Sequence, residues 1–334
     1  MSPWPFRLAV MLSCVTFPLI SIGGLVTSYD AGMAVPDWPN TYGYNLLLYP
    51  YTTWLFGPWD LFLEHGHRLL GVLAGLFAMG LVAVTYRVDS RRPARIATVA
   101  ALVAVTAQGG LGGARVLLDD RQLAMLHGCV GPAFFAYCVA LASCLSPKWQ
   151  SLVPKLLGAH SDRKMLLDQK LRRFTLLLAL LFYVQLVLGA QLRHIPVTAG
   201  PWLFNMSLLL HLTNAVLLTL SVTVLGLSLR RGRVEPELRP VVSAMAVLLC
   251  IQLVLGVTTW VVKYGWPYWF AQSLFAASFT VHAKSMTQTG IATLHMAVGS
   301  LILAAAVLTH VQTRQLLRAQ LRNAPRQTTP GMVK

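Results

Sequence analysis

Eight apolar stretches, each long enough to cross a bilayer, take up most of this 334-residue chain. They run at roughly 7–28, 67–86, 95–114, 125–146, 174–193, 205–229, 240–262 and 289–311. A helix needs about 20 apolar residues to span the hydrocarbon core. Backbone polar groups in lipid must be satisfied within the segment, so helix is the form such stretches take. Only 11% of residues are charged, against about 25% in a soluble domain. The first stretch is long and has little positive charge ahead of it, which argues for a retained helix over a cleaved leader. The expected fold is an all-α membrane protein of eight transmembrane helices.

Charge gives the orientation. Of the 27 Lys and Arg, 21 fall on one set of alternating connections: Arg7, 87–95, 147–173, 230–239 and the C-terminal tail. The opposite loops carry 6 Lys and Arg and 6 of the 11 acids. Positive residues mark the cytoplasmic side of short loops. The expectation is a multi-pass protein of the cytoplasmic (inner) membrane with both termini inside. The net charge of +16 then faces anionic membrane lipid, a simpler partner than nucleic acid.

The chain looks duplicated. Gln185-Leu-Val-Leu-Gly189 and Gln252-Leu-Val-Leu-Gly256 are the same string, and Gln108 to Gly113 is a looser version. Small residues let membrane helices approach closely, so the repeat can be a packing device or something more. The pattern predicts two pseudo-symmetric four-helix bundles. Residues 1–146 form an N-terminal half, 147–173 a basic cytoplasmic connector, and 174–334 a C-terminal half with a basic tail. Bundles of this kind build cofactor sites between facing helices. The five cysteines lie within or at the ends of apolar stretches, which suits small buried side chains better than a disulfide framework.

Four histidines, His67, His127, His211 and His295, fall early in every second stretch. In this topology they share one depth near the outer surface, two in each half. Intramembrane histidines are costly unless something uses them. Two facing imidazoles suit the axial positions of a haem iron, so the pairs predict two haem sites. A structural zinc site wants four converging ligands, and none is expected here. His65, His160, His194, His282 and His310 lie in loops or at edges and are read as solvated.

Only one of the four carries an acid three residues earlier. Position −3 is Glu64, Ala124, Leu208 and Ala292 in turn. Residues three apart share a helix face, so Glu64 belongs beside the first-half site. There it could move protons or position an oxidant. Alternatively it caps the start of the second stretch, where an acid suits the helix dipole.

These residues carry a family resemblance. Gly23-Gly-Leu-Val26, Gly32, Pro36-Asp-Trp-Pro39 and Gly43 resemble the first-loop signature of haem A synthases. Glu64-x-x-His67-Arg68, Gln108-Gly-x-Leu-Gly-Gly113 and Gln185-Leu-Val-Leu-Gly-Ala190 are similar to that family's pattern too. The likeness is strongest over 22–72 and thins after about 260. It implies oxidation of a ring methyl of haem O to a formyl group, giving haem A for terminal oxidases. By resemblance, Glu64 is catalytic, His67 and His127 ligate the substrate haem, and His211 and His295 hold haem b. A haem O synthase and an electron donor are the implied partners, and a homo-oligomer is left open. Many bacterial members have two cysteines around Pro36 to Pro39, where this chain has Val35 and Thr41.

Arg68, Arg115, Arg121, Arg193 and Lys263 are the candidate contacts for haem propionates, since arginine pairs well with carboxylates. The chief alternative is a diheme b-type protein that passes electrons from quinol and modifies no haem. It would use the same four histidines without needing Glu64. A transporter would show broken helices and midplane charges, and a purely structural subunit leaves the histidines without a purpose. The loop 263–288 is long, aromatic and unmatched.

Overall fold

The structure, a computed structural model, describes residues 2–147, 149–151, 169–196, 198–232, 236–273, 276 and 279–323, with side chains to 318. Most of the 147–173 connector, His160, parts of the 263–288 loop and the end of the basic tail lie outside the described residues.

The chain is helical almost throughout. Its helices are α1 (Trp4–Ser28), α2 (Tyr51–Leu55), α3 (Trp59–Val88), α4 (Arg92–Leu117), α5 (Arg121–Leu145), α6 (Gln169–His194), α7 (Pro201–Arg230), α8 (Arg239–Tyr264), α9 (Tyr268–Ala271) and α10 (Met286–Asn323). Among the described residues, eight helices are long and apolar enough to cross a membrane, so this is a multi-pass membrane protein. They begin earlier than the hydropathy alone suggests. α3 starts at Trp59, not near 67, because Pro58 sets its entry and Asp60 occupies its first turn. α5 starts at Arg121, where the Asp120 carboxylate accepts hydrogen bonds from the Gln122 and Leu123 amides at 2.6 and 2.9 Å. That side chain satisfies two of the amides a helix start leaves unpaired. Gly265, at φ 86°, ends α8 in a conformation that favours glycine.

The packing partners form two closed cycles. α1, α3, α4 and α5 pack in a ring, and α6, α7, α8 and α10 pack in another. α5 and α10 join the rings and are the most buried spans, with 61% and 50% of an 18-residue apolar stretch buried, against 17% for α7 and α8. Phe134 and Phe135 show how α5 serves both. The first belongs to the buried cluster that holds Leu12, Ala78 and Leu81, the second to the cluster that holds Leu218, Leu225 and Ile302. Association in lipid has no hydrophobic drive between helices, so close packing of such side chains supplies the attraction.

Candidate functional site

The four histidines meet in pairs across the rings. His67 on α3 faces His127 on α5 with ring centroids 6.2 Å apart. His211 on α7 faces His295 on α10 at 6.5 Å. Each lies about two to three turns into its helix, deeper than the one or two turns expected, because the helices start earlier.

Each imidazole stands against a glycine of the preceding spanning helix. A Cβ added at Gly23 or Gly112 would come within 2.9 Å of Cε1 of His67 or His127. A Cβ at Gly189 or Gly256 would come within 3.3 Å of Cε1 of His211 or His295. Three of these glycines end the Gln-x-x-x-Gly strings. The glutamines serve the same histidines: Gln108 donates to the His127 carbonyl at 2.7 Å and Gln185 to the His211 carbonyl at 3.0 Å. The repeat is therefore a cradle for an imidazole as well as a packing device. The first helix keeps the backbone contact but has a leucine in place of the glutamine. Leu19, four residues before Gly23, offers its carbonyl to His67 Nδ1 at 3.1 Å. A carbonyl only accepts, so this nitrogen carries the proton and Nε2 is left for a metal.

The spacing tests the fit to haem iron. A metal–imidazole bond is about 2.0–2.1 Å, and the ring centre lies about 1.1 Å beyond the nitrogen, so two axial imidazoles have centroids about 6.3 Å apart. Both observed pairs sit at that distance. The rings of His127, His211 and His295 face the backbone of Gln108, Gln185 and Gln252, as His67 faces Leu19, so each ring leaves its other nitrogen for a metal. Among the described residues no three His, Cys, Asp or Glu gather as a metal cluster. The donor sets are two imidazoles each, and they fit haem.

Glu64 is 1% exposed and fully engaged. One carboxylate oxygen accepts from Arg68 at 2.9 Å and lies 3.7 Å from Arg115; the other accepts from the Val35 amide at 3.0 Å. The helix-cap reading is overturned, since Glu64 lies in the second turn of α3 and binds the loop instead of its own helix start. Arg68 extends the clasp to the carbonyls of Val35, Asp37 and Asn40, at 2.7, 2.6 and 2.8 Å. Arg115 reaches the Gly32 carbonyl at 2.7 Å. Trp38 lies flat against Gly113, where any Cβ would strike its ring, so the loop closes over α4 beside His127.

His65 is not solvated. It is 1% exposed, bonds the Thr41 hydroxyl at 3.1 Å, and sits between the rings of Tyr49 and Trp54. Sequence reading misses this because it counts the helix from 67. Val35 and Thr41 are both buried, and both are tied to α3 by polar bonds. His194 and His310 are also half-buried, bonded to the Ala190 carbonyl and the Thr175 hydroxyl. His282 is exposed. In the loop itself, burial works to raise the Asp37 pKa, but amide bonds from Gly43 and Tyr42 outweigh it and hold the acid below its usual value.

The five cations divide into two groups. Arg68 and Arg115 converge on Glu64. Arg121, Arg193 and Lys263 lie close enough to act together on His194. Arg193 crosses between the rings to the Gly24 carbonyl and the Ser28 hydroxyl of α1. Gly23 and Gly24 thus face opposite ways: Gly23 toward His67, Gly24 toward Thr293 and Met296 beside His295.

Residues 58–203 match the model of the COX15-CtaA family, described as cytochrome oxidase assembly protein. That stretch holds His67, His127, Glu64, Arg68, Arg115 and two of the Gln-x-x-x-Gly strings, Gln108–Gly112 and Gln185–Gly189. No curated protein matches the chain.

Proposed function

We propose that this chain, which belongs with the COX15-CtaA cytochrome oxidase assembly proteins through residues 58–203, is a haem A synthase that oxidises a methyl of haem O to the formyl group of haem A. One observation carries the reading: two imidazole pairs share axial spacing, and among the described residues only the first has a buried carboxylate clasped beside it. A pair of electron-transfer haems would need no such difference.

In this reading His211 and His295 hold haem b, and His67 and His127 hold the substrate haem. Haem iron supplies the redox chemistry that an inert methyl group demands and no side chain provides. The protein supplies position. The Leu19 carbonyl fixes the His67 tautomer, and the four glycines set how far each ring can approach. Glu64, Arg68 and Arg115 hold residues 32–41 over the first pair, with Trp38 against α4 limiting water entry. Methyl-to-formyl oxidation by way of water releases protons and electrons in equal number. Glu64 is the buried carboxylate placed to hold or pass a proton there. Arg193 bonds neutral groups and Lys263 lies over the Tyr264 ring, so these two, with Arg121 beside them, are the stronger propionate candidates. Arg68 and Arg115 already serve Glu64 and the loop.

The test is chemical analysis of the pigment. Protein purified from cells that make haem O should yield haem b together with haem O, a hydroxylated haem or haem A on acid extraction. Haem b alone, at two per chain, overturns the synthase reading and leaves the diheme electron-transfer protein.

A further inference from the structure

A groove runs down the seam between the two rings, away from the histidines. It encloses about 790 Å³ between α4, α5, α6 and α10. Its floor is made of alanines: Ala94 and Ala97 of α4, Ala133, Ala136 and Ala140 of α5, and Ala179 of α6. Along α5 it reaches from Ala133 to Leu145, and along α10 from Leu303 to Gln315. At 1.5 Å per residue each path is about 18 Å long, close to one leaflet of a hydrocarbon core about 30 Å thick.

The groove ends on a guanidinium and an imidazole. Arg91 and His310 line it. Arg314 and Arg172 lie close enough to act on His310, and Arg91 and Arg314 on Cys144 of the same wall. Among the described residues, the carboxylate paired with this group is Asp89, on Arg91. A second groove, between α5, α8 and α10, gives the contrast. It holds about 460 Å³ with similar apolar walls, but it ends on Glu237, one of whose carboxylate oxygens is buried without a hydrogen-bond partner. The two grooves differ in the sign of the charge at the mouth.

We propose that the α4–α6 groove is a binding site for one anionic phospholipid, its phosphate among Arg91, Arg314 and His310 and an acyl chain along the alanine floor. Basic pockets between membrane helices suit anionic headgroups, and the groove is one leaflet deep. A lipid seated there would fill the seam between the rings, where helix packing alone leaves it open to the membrane.

The test uses the purified full chain, delipidated in detergent and titrated with phosphatidylglycerol or with phosphatidylcholine of the same acyl chains. Native mass spectrometry reads the occupancy. One tightly held phosphatidylglycerol per chain is expected, with at least tenfold weaker phosphatidylcholine binding and no displacement by inorganic phosphate. Arg91→Gln with Arg314→Gln should lower phosphatidylglycerol binding about tenfold. Ala140→Leu should lower it by filling the floor while leaving the cations in place. Glu237→Gln, in the other groove, should change nothing. Unchanged visible spectra and melting would show that the variants are folded. Equal retention of both lipids, displacement by phosphate, or a quinone that competes regardless of the arginines would each overturn the proposal.

Discussion

His67 and His127 face each other under a loop tied down by Glu64, Arg68 and Arg115; beside the second pair, the neutral amide Gln185 donates to the His211 carbonyl and accepts from Asn214. Centroid spacing differs by only 0.3 Å, from 6.2 to 6.5 Å. The difference lies in what surrounds equal geometry. Spacing set by glycine cradles decides that a metal-bound ring can be held. A buried carboxylate between two guanidiniums decides which pair is equipped to handle protons. A surrounding without a clasped carboxylate suits a cofactor that stays put and exchanges only electrons.

The comparison breaks most visibly if the pairs fail to act as pairs. His211→Ala or His295→Ala should abolish the haem b absorption bands, since neither half-site keeps two axial ligands. His67→Ala should leave those bands and lose the substrate haem. A normal b-type spectrum in both second-half variants would end the assignment.

Glu64→Gln is the next largest effect. The amide keeps the shape but removes the charge that Arg68 and Arg115 face. Formyl production should fall by about 10²–10⁴-fold, the range for a general acid–base group. Haem b should remain. Breaking a buried pair from one side also costs about 3–5 kcal/mol, so the melting temperature should drop. Arg68→Gln separates the two effects. If the clasp matters only for stability, both variants melt early and both still make haem A at the same rate per folded molecule.

The eight spans and the four paired histidines were legible because hydropathy and spacing report them directly. Glu64 was legible as an asymmetry, but its partners were not. The guanidinium of Arg115 comes from a helix 51 positions along the chain, and the Val35 amide belongs to a loop without regular pattern. Periodicity is silent on both. His65 was misread because a hydropathy window ignores Trp59 to Gly66, where Asp60 and Glu64 dilute the signal although the helix is already formed. The role of Gly23 was hidden because its string lacks the glutamine. Leu19 supplies a backbone carbonyl there, and any residue type carries that group.

The glycines sharpen the comparison further. At Gly23 an added Cβ would fall 2.9 Å from His67, a distance that requires something to move. At Gly189 it would fall 3.3 Å from His211, which needs only a few tenths of an ångström. Gly23→Ala should therefore cost about 1–3 kcal/mol as overpacking and visibly weaken retention of the first haem. Gly189→Ala should cost less and shift the b-type bands only slightly. Equal effects on haem retention in the two halves would show that the cradles do not differ in tightness.

The smallest effect is that of acid on the loop. Asp37 accepts from the Tyr42 and Gly43 amides at 2.8 and 2.7 Å. Burial opposes its ionisation, yet those bonds hold its pKa below 3.8. A folded-state pKa below the unfolded one stabilises the loop at pH values above about 3.8, and that stabilisation is lost as pH falls through the folded value. The first site should therefore loosen in acid through a group that the second site lacks. Hydrogen exchange at the Tyr42 and Gly43 amides is the direct measure, with protection expected to fall several-fold on acidification. Other acids protonate in the same range, so the decisive comparison is Asp37→Asn. It keeps one acceptor oxygen and cannot ionise. Those amides should exchange faster than wild type near neutrality, and most of the extra acid sensitivity should vanish. If wild type and Asp37→Asn respond to acid alike, the anchoring of this loop owes nothing to the Asp37 charge, and the two sites differ by Glu64 and its arginines alone.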